Sequence, residues 1–516
     1  MTKFPRKIQK KPVKHPPTNK EIGSITNCLT GDLKIDLDNF KGIFHYPKNK
    51  DFIVRPIYIN SLKLNGVLFY MKGTICTNTL TRDIILPLMD VSPYISGEDA
   101  ITEITNNIIT NKNVKTLTVP TQITTNIVKG STILLIEGYK GAISFSTADF
   151  EHRPIEKPVI ENTIKGPKES FIECADVNCS LIRKYLKCEE LITEEVEVGV
   201  RGKDAAYMMY VEGVSDPDLI YNIRNRINNI NTDNVLSISI LEQFIEDRSY
   251  SLLPTMLYTE RPDRAAAFLL EGHVILIMDG SPACLIAPAT FWTFFHSAED
   301  QYQRMPYGNF IRTIRFIALF ITLLVPGLYV AITSFHVEMI PSDLAVSIAA
   351  AREVLPFPVI TEVLLMEISF ELIREAGVRV PTTIGPTIGI VGALILGQAA
   401  VEANIVSPIL VIIVALTGLS SFTIPDVSLN YAVRISRFIF VAAGAFMGFL
   451  GISICLSIYL TYVINTTTFG VPFLSPVAPH YPSSTDTLFR DPIWKQWLRP
   501  FNISSLDPRR KGSARK

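Results

Sequence analysis

Glu362, Glu367 and Glu371 stand out because the stretch around them, Val359–Ile373, is otherwise strongly apolar. On a helix Glu367, Glu371 and Glu375 are four apart and share one face, while Glu362 lies off it. A carboxylate on a helix immersed in lipid must face protein, a counter-charge or water. Arg374 and Arg379 are the candidate counter-charges. Three placements follow: lining of a pore or cavity, the wet face of an amphipathic surface helix, or internal ion pairs.

The remaining reactive residues form no catalytic pattern. There is no glycine-rich phosphate loop, no His-Glu-x-x-His and no Gly-x-Ser-x-Gly elbow, so no enzyme activity and no cofactor are expected. Asp204, Asp216, Asp218, Asp263 and Asp279 are scattered among turn residues and read as solvated loop carboxylates, not as a metal site. The seven cysteines are odd in number and lack a Cys-x-x-Cys, which argues for reduced thiols, not for a disulfide framework or a zinc ribbon.

The elements that must position the three glutamates are long uncharged runs. Val380–Val401 (22 residues) and Ala403–Pro425 (23 residues) are divided by the single carboxylate Glu402. About 20 apolar residues cross the hydrocarbon core of a bilayer, so both read as spans joined by a tight turn. Gly385, Gly389, Ala393 and Gly397 recur every four residues, and Gly444 and Gly448 repeat the step, a comb suited to helix packing. Two further spans are expected at 316–335 and 438–464. Arg304, Arg312 and Arg315 place the start of the first on the cytoplasmic side, and Pro326-Gly327 predicts a kink or break within it.

Topology does not close on these spans. Four crossings put the basic tail 483–516 inside but leave Arg434 and Arg437 outside; a fifth at 359–373 reverses both. The charge rule leans towards both termini inside.

The chain has 49 basic and 49 acidic residues, so its total charge indicates no nucleic-acid partner. Most charge lies before residue 316. Met1–Lys20 is basic throughout, with no secretory pattern, and is expected to be a disordered tail that can lie against anionic lipid. The following region mixes strand and helix signals, including helical spacing at Thr79–Met89 and Asp99–Thr110, and it repeats. Leu68–Gly73 is echoed by Met208–Gly213 at an offset of 140, and Val128–Gly138 by Leu270–Gly280 at 142. Two similar α/β subdomains are therefore expected at 21–150 and 165–295, with a linker at 151–164, followed by a polytopic α-helical membrane domain over 296–482. The overall class is α+β with a membrane half.

Several motifs resemble one family. Ile164-Lys165-Gly166-Pro167-Lys168-Glu169-Ser170-Phe171-Ile172-Glu173, Glu260-Arg261-Pro262-Asp263 and Ser297-Ala298-Glu299-Asp300-Gln301-Tyr302-Gln303-Arg304 look like segments of spore germinant receptor A subunits. In the membrane half the likeness extends to Phe335–Pro341, Ala351-Arg352-Glu353, Glu371–Arg379 and Gly397–Val401. Lys168 and Ser170 depart from the usual Arg and Gly. The resemblance covers about residues 30–480. It implies a multi-pass protein of the spore inner membrane with a cytoplasmic N-terminal domain. Its implied partners are a transporter-like B subunit and a C lipoprotein, and it implies oligomerisation around a gated ion path that opens on nutrient sensing. A non-conducting scaffold, or a downstream paralogue that amplifies ion release, is the alternative.

Overall fold

The computed structural model describes residues 29–60, 62–90, 109, 114–147, 158, 161–201, 204–379, 395–481, 486–501, 503 and 506–510. The expected helix at Asp99–Thr110 and the comb residues Gly385, Gly389 and Ala393 therefore lie outside the described residues, except Ile109. The chain divides into two compact units, one of residues 1–152 with 179–194, the other of 153–178 with 195–516.

In the first unit β1 (Phe52–Ile59), β2 (Leu64–Met71), β3 (Val114–Leu117), β4 (Ser131–Ile136) and β5 (Ala142–Ser146) form an antiparallel sheet of order β1-β2-β4-β5-β3. Side chains alternate faces along a strand. Leu68 accordingly joins Ile57, Leu134 and Ile143 on one side, while Val67 and Phe69 join the other. That second side is covered by α1 (Leu33–Ile43) and α2 (Pro120–Val128), through Phe40, Phe44, Ile123 and Ile127. A buried ion pair ties Arg183 to Asp51 at 2.6 Å.

The second sheet has the same order with every strand advanced by five: β6 (Leu191–Val198), β7 (Asp204–Val211), β9 (Val274–Met278), β10 (Cys284–Ala287) and β8 (Leu257–Thr259). The segments matched at offsets of 140 and 142 form β2 and β7, and β4 and β9. Their glycines share an unusual backbone: φ is 73° and 79° at Gly73 and Gly213, 90° and 98° at Gly130 and Gly272, and 80° and 75° at Gly138 and Gly280. Only glycine takes such angles without steric cost. The helices α3 (Ala175–Tyr185), α4 (Pro217–Asn228), α5 (Ile238–Ile245) and α6 (Pro262–Leu269) belong to this half of the repeat.

Beyond residue 304 the chain is helical: α7 (Met305–Phe335), α8 (Ser342–Glu353), α9 (Val359–Arg379), α10 (395–402), α11 (Pro408–Ser421) and α12 (Val427–Asn465). Two of these, α7 and α12, are long and apolar enough to cross a membrane by length and composition. Pro326 does not break α7, which is continuous through it. The break falls instead in α12, at Gly448 (φ 58°, ψ −137°). There the uncharged run expected to be one span doubles back. Phe440 and Tyr459 have ring centroids 5.9 Å apart, whereas a straight helix would hold them about 28 Å apart. Backbone contact makes the reversal possible. A Cβ on Gly444 would lie 2.5 Å from the Gly327 carbonyl oxygen, and one on Gly451 would collide with that of Ala443. The apex packs on the end of α7, where the His336 ring stands against Gly448 and 5.0 Å from that of Phe449.

α9 and α11 run side by side in the same direction. Glu362 near the start of α9 meets Ser407 at the start of α11, and Arg374 meets Ser421 at its end. The chain between them returns to the Ser407 end through α10, whose Gly397 packs against Val411. Counting both legs of α12, the helical half makes six passes.

Candidate functional site: a buried ion network between α9 and α12

Glu367 and Glu371 are one turn apart on α9 and face the first leg of α12. There Arg434 and Arg437, three residues apart, point back at them. Arg437 Nη2 lies 2.8 Å from Glu367 Oε2 and 2.9 Å from Glu371 Oε1. Arg434 donates from Nε to Glu371 Oε1 at 3.0 Å and forms a second, shorter contact through Nη2. Glu367 and Arg437 are 0% and 1% exposed at their side chains. Isolated charges so far from water cost several kcal/mol each, which is why the four are found together.

Arg374, a candidate counter-charge, does not pair with a carboxylate here. Its Nη2 donates to Ser421 Oγ at 2.6 Å and its guanidinium stacks over Phe422 and Phe370 at 4.2 and 5.4 Å. Arg379 bonds Glu375 on its own exposed helix face at 2.6 Å. Glu362 lies apart from the network. Its carboxylate accepts from the Ser407 backbone N–H at 3.3 Å and stands 3.7 Å from Arg352, and Ser407 Oγ also meets the Tyr329 hydroxyl. The three glutamates therefore occupy two polar sites on α9, with partners on α8, α11 and α12. Arg434 and Arg437 were read from sequence as loop residues. The one available signal was their spacing, which repeats the helical pitch of the glutamates they meet.

Two further contacts join the helical half to the second sheet's domain. Asp300 takes Arg315 at 2.6 Å and Arg312 at 3.3 Å, and Arg312 reaches on to Asp486 at 2.5 Å. Burial works to raise the Asp300 carboxyl, but the two arginines outweigh it and hold the group below its ordinary value. At the other end of the half, Tyr462 near the close of α12 shares its hydroxyl with Ser251 Oγ at 2.9 Å and the Leu252 N–H at 3.0 Å. Asp247, paired with Arg226, accepts from the Phe469 N–H at 2.6 Å, and Arg226 stacks on the Phe469 ring. Among the described residues, no group of three or more His, Cys, Asp or Glu side chains could hold a metal.

A mixed sheet-and-helix domain wired by ion pairs to a bundle of apolar helices defines a multidomain protein with charge buried in its helical half. Its family is shown by comparison. The Bacillus/Clostridium GerA spore germination protein model matches residues 38–502, and the chain belongs to that family. It is 39% identical to spore germination protein KA of Bacillus subtilis (strain 168) over 90% of its own length and 86% of that protein's. It is 38% identical to the uncharacterized membrane protein YfkQ of the same strain, covering 86% of each. A solved structure, the N-terminal domain of the A subunit of the Bacillus megaterium spore germinant receptor GerK3, aligns with 51% of this chain and 97% of that one at 26% identity and a TM-score of 0.41.

Proposed function

We propose that this chain is the A-type subunit of a nutrient germinant receptor in the spore inner membrane. In this reading it relays nutrient sensing by a B subunit and a lipoprotein C subunit, and several copies assemble around a gated path for ions. Residues 316–335 of α7 span about 30 Å at 1.5 Å per residue, the thickness of a bilayer core. Gly327 is level with Phe440, so Arg437, one turn below, sits about 12 Å inside that span, close to mid-depth. Six passes keep both sheet domains and the basic tail on one side, the cytoplasmic one by the arginines at the foot of α7.

The observation that carries the proposal is the buried charge network. Ionisable groups at mid-depth are expensive, and they mark ion pathways and switches. α9, with Glu362, Glu367 and Glu371, is the helix nearest the path. Its pairs with Arg434 and Arg437 hold the closed state, and parting them frees the carboxylates to line the opening. Spores carrying Glu367→Gln or Glu371→Gln are expected to release ions abnormally after nutrient addition, at normal protein abundance. Unaltered release at normal abundance refutes the assignment of these residues.

The complete burial of Glu367 favours a second reading in one respect, since a carboxylate wholly inside one chain is also what a non-conducting scaffold would hold. Absence of conductance from liposomes carrying the complete receptor, in every nutrient state, would decide for that reading.

A further inference from the structure

The segment from Phe489 to Arg510 is built inside out. Its buried side chains are arginines: Arg490 and Arg499 are 4% and 7% exposed. Arg490 donates to the carbonyls of Asp300 and Gln303 at 2.5 and 3.1 Å, and its backbone exchanges bonds with the Asn309 side chain. Arg499 donates to the Leu270 carbonyl at 2.5 Å and pairs with Asp507. The outward side chains are large and apolar: Phe489 is 58% exposed, Ile493 62%, Trp494 52%, Trp497 40% and Phe501 46%. Lys495 and Arg509 stand exposed among them. A contiguous aromatic face of this kind on a soluble protein marks an interaction surface.

We infer that this face lies in the headgroup layer of an anionic bilayer and fixes the depth at which the second sheet's domain rests on the membrane. The inference rests on the membrane reading of the helical half. Height is the first argument. Asn309, to which the segment is bolted, precedes the apolar run of α7 by seven residues, about 10 Å, which is where the interface begins. Composition is the second. Tryptophan with lysine or arginine at one level is the mixture that settles at a membrane interface, with ring bodies in the acyl boundary and cationic ends towards phosphate. Phe310 of α7, 61% exposed at the same level, continues the face. The exposed cations suit a lipid surface better than the dry core of a contact between two copies, where charge is depleted.

The chain has three tryptophans, Trp292, Trp494 and Trp497, so the test is optical. Full-length protein with Trp292→Phe and Trp497→Phe, leaving Trp494, is reconstituted in vesicles of phosphatidylcholine with or without phosphatidylglycerol, brominated near the headgroup end or the methyl end of the acyl chains. A control with all three tryptophans replaced by Phe carries Ile439→Trp, at mid-depth and 53% exposed. Trp494 is expected to lose emission to the shallow bromines and little to the deep ones, with greater loss when phosphatidylglycerol is present. The control should show the opposite depth order. Trp494 unquenched at either depth beside a quenched control overturns the inference and leaves the membrane reading standing; so does a blue-shifted but unquenched Trp494, the signature of cover by another protein copy. Both probes unquenched overturn the two together.

Discussion

Removing the Arg437 guanidinium should destabilise the chain more than removing the Glu367 carboxylate, although the two face each other at 2.8 Å. At an effective dielectric constant of about 20, charges at that separation attract by roughly 6 kcal/mol, most of which offsets the loss of hydration. Arg437→Gln leaves the Glu367 carboxylate, 0% exposed, without its ion-pair partner, and the expected cost is about 3–5 kcal/mol. Glu367→Gln leaves Arg437 still paired with Glu371 at 2.9 Å, and should cost about 1–3 kcal/mol. The double variant places two neutral amides together and should be less harmful than the sum of the singles by about 2 kcal/mol or more. Equilibrium unfolding of the four proteins in one mixed-micelle system measures the cycle. Additive losses, or a larger loss from Glu367→Gln than from Arg437→Gln, would refute the reasoning, because either would mean the pair carries no coupling in the folded chain.

Gly444→Ala sets a Cβ 2.5 Å from a backbone carbonyl that cannot swing away, so thermal unfolding should report a loss of about 1–3 kcal/mol, and Gly451→Ala should behave alike. Asp247→Ala removes the anchor of Phe469 and should speed amide exchange at residues 466–475 while the protection of β9 is unchanged; uniform loosening across the second domain would count against a local anchor. Burial lowers the His273 pKa to about 4 from its ordinary 6.5. The unfolded chain therefore binds a proton that the folded chain refuses between those values. Stability should fall by about 3 kcal/mol as pH drops from 6.5 to 4. His273→Leu should flatten that slope, and an unchanged slope would place the titration elsewhere.

The doubled sheet was legible because its signals are local. A strand alternates every second residue, and a glycine with positive φ is a residue type forced by one backbone angle, so the pair Gly130 and Gly272 repeats visibly in the chain. The spacing of Glu367 and Glu371 was legible for the same reason. Their partners were not, because Arg434 and Arg437 meet them only through contacts more than sixty residues apart. The reversal in α12 was hidden more deeply. Phe438–Ile464 is uncharged on both sides of Gly448, so hydropathy sees one run, and the turn is stabilised by Gly327 and His336 from a distant helix. Pro326 carried the stronger local signal and was tolerated, because the glycine beside it lets Phe440 pack close.

The tip of α12 carries no hydrophilic loop. Charged residues are absent for ten positions before Gly448 and sixteen after it, so in the membrane reading nothing polar has to be dragged through the hydrocarbon for the two legs to enter. The hairpin can slide in as a closed wedge once α7 offers its Gly327 notch. A reporter fused behind residue 516 would then stay in the compartment where the chain was made.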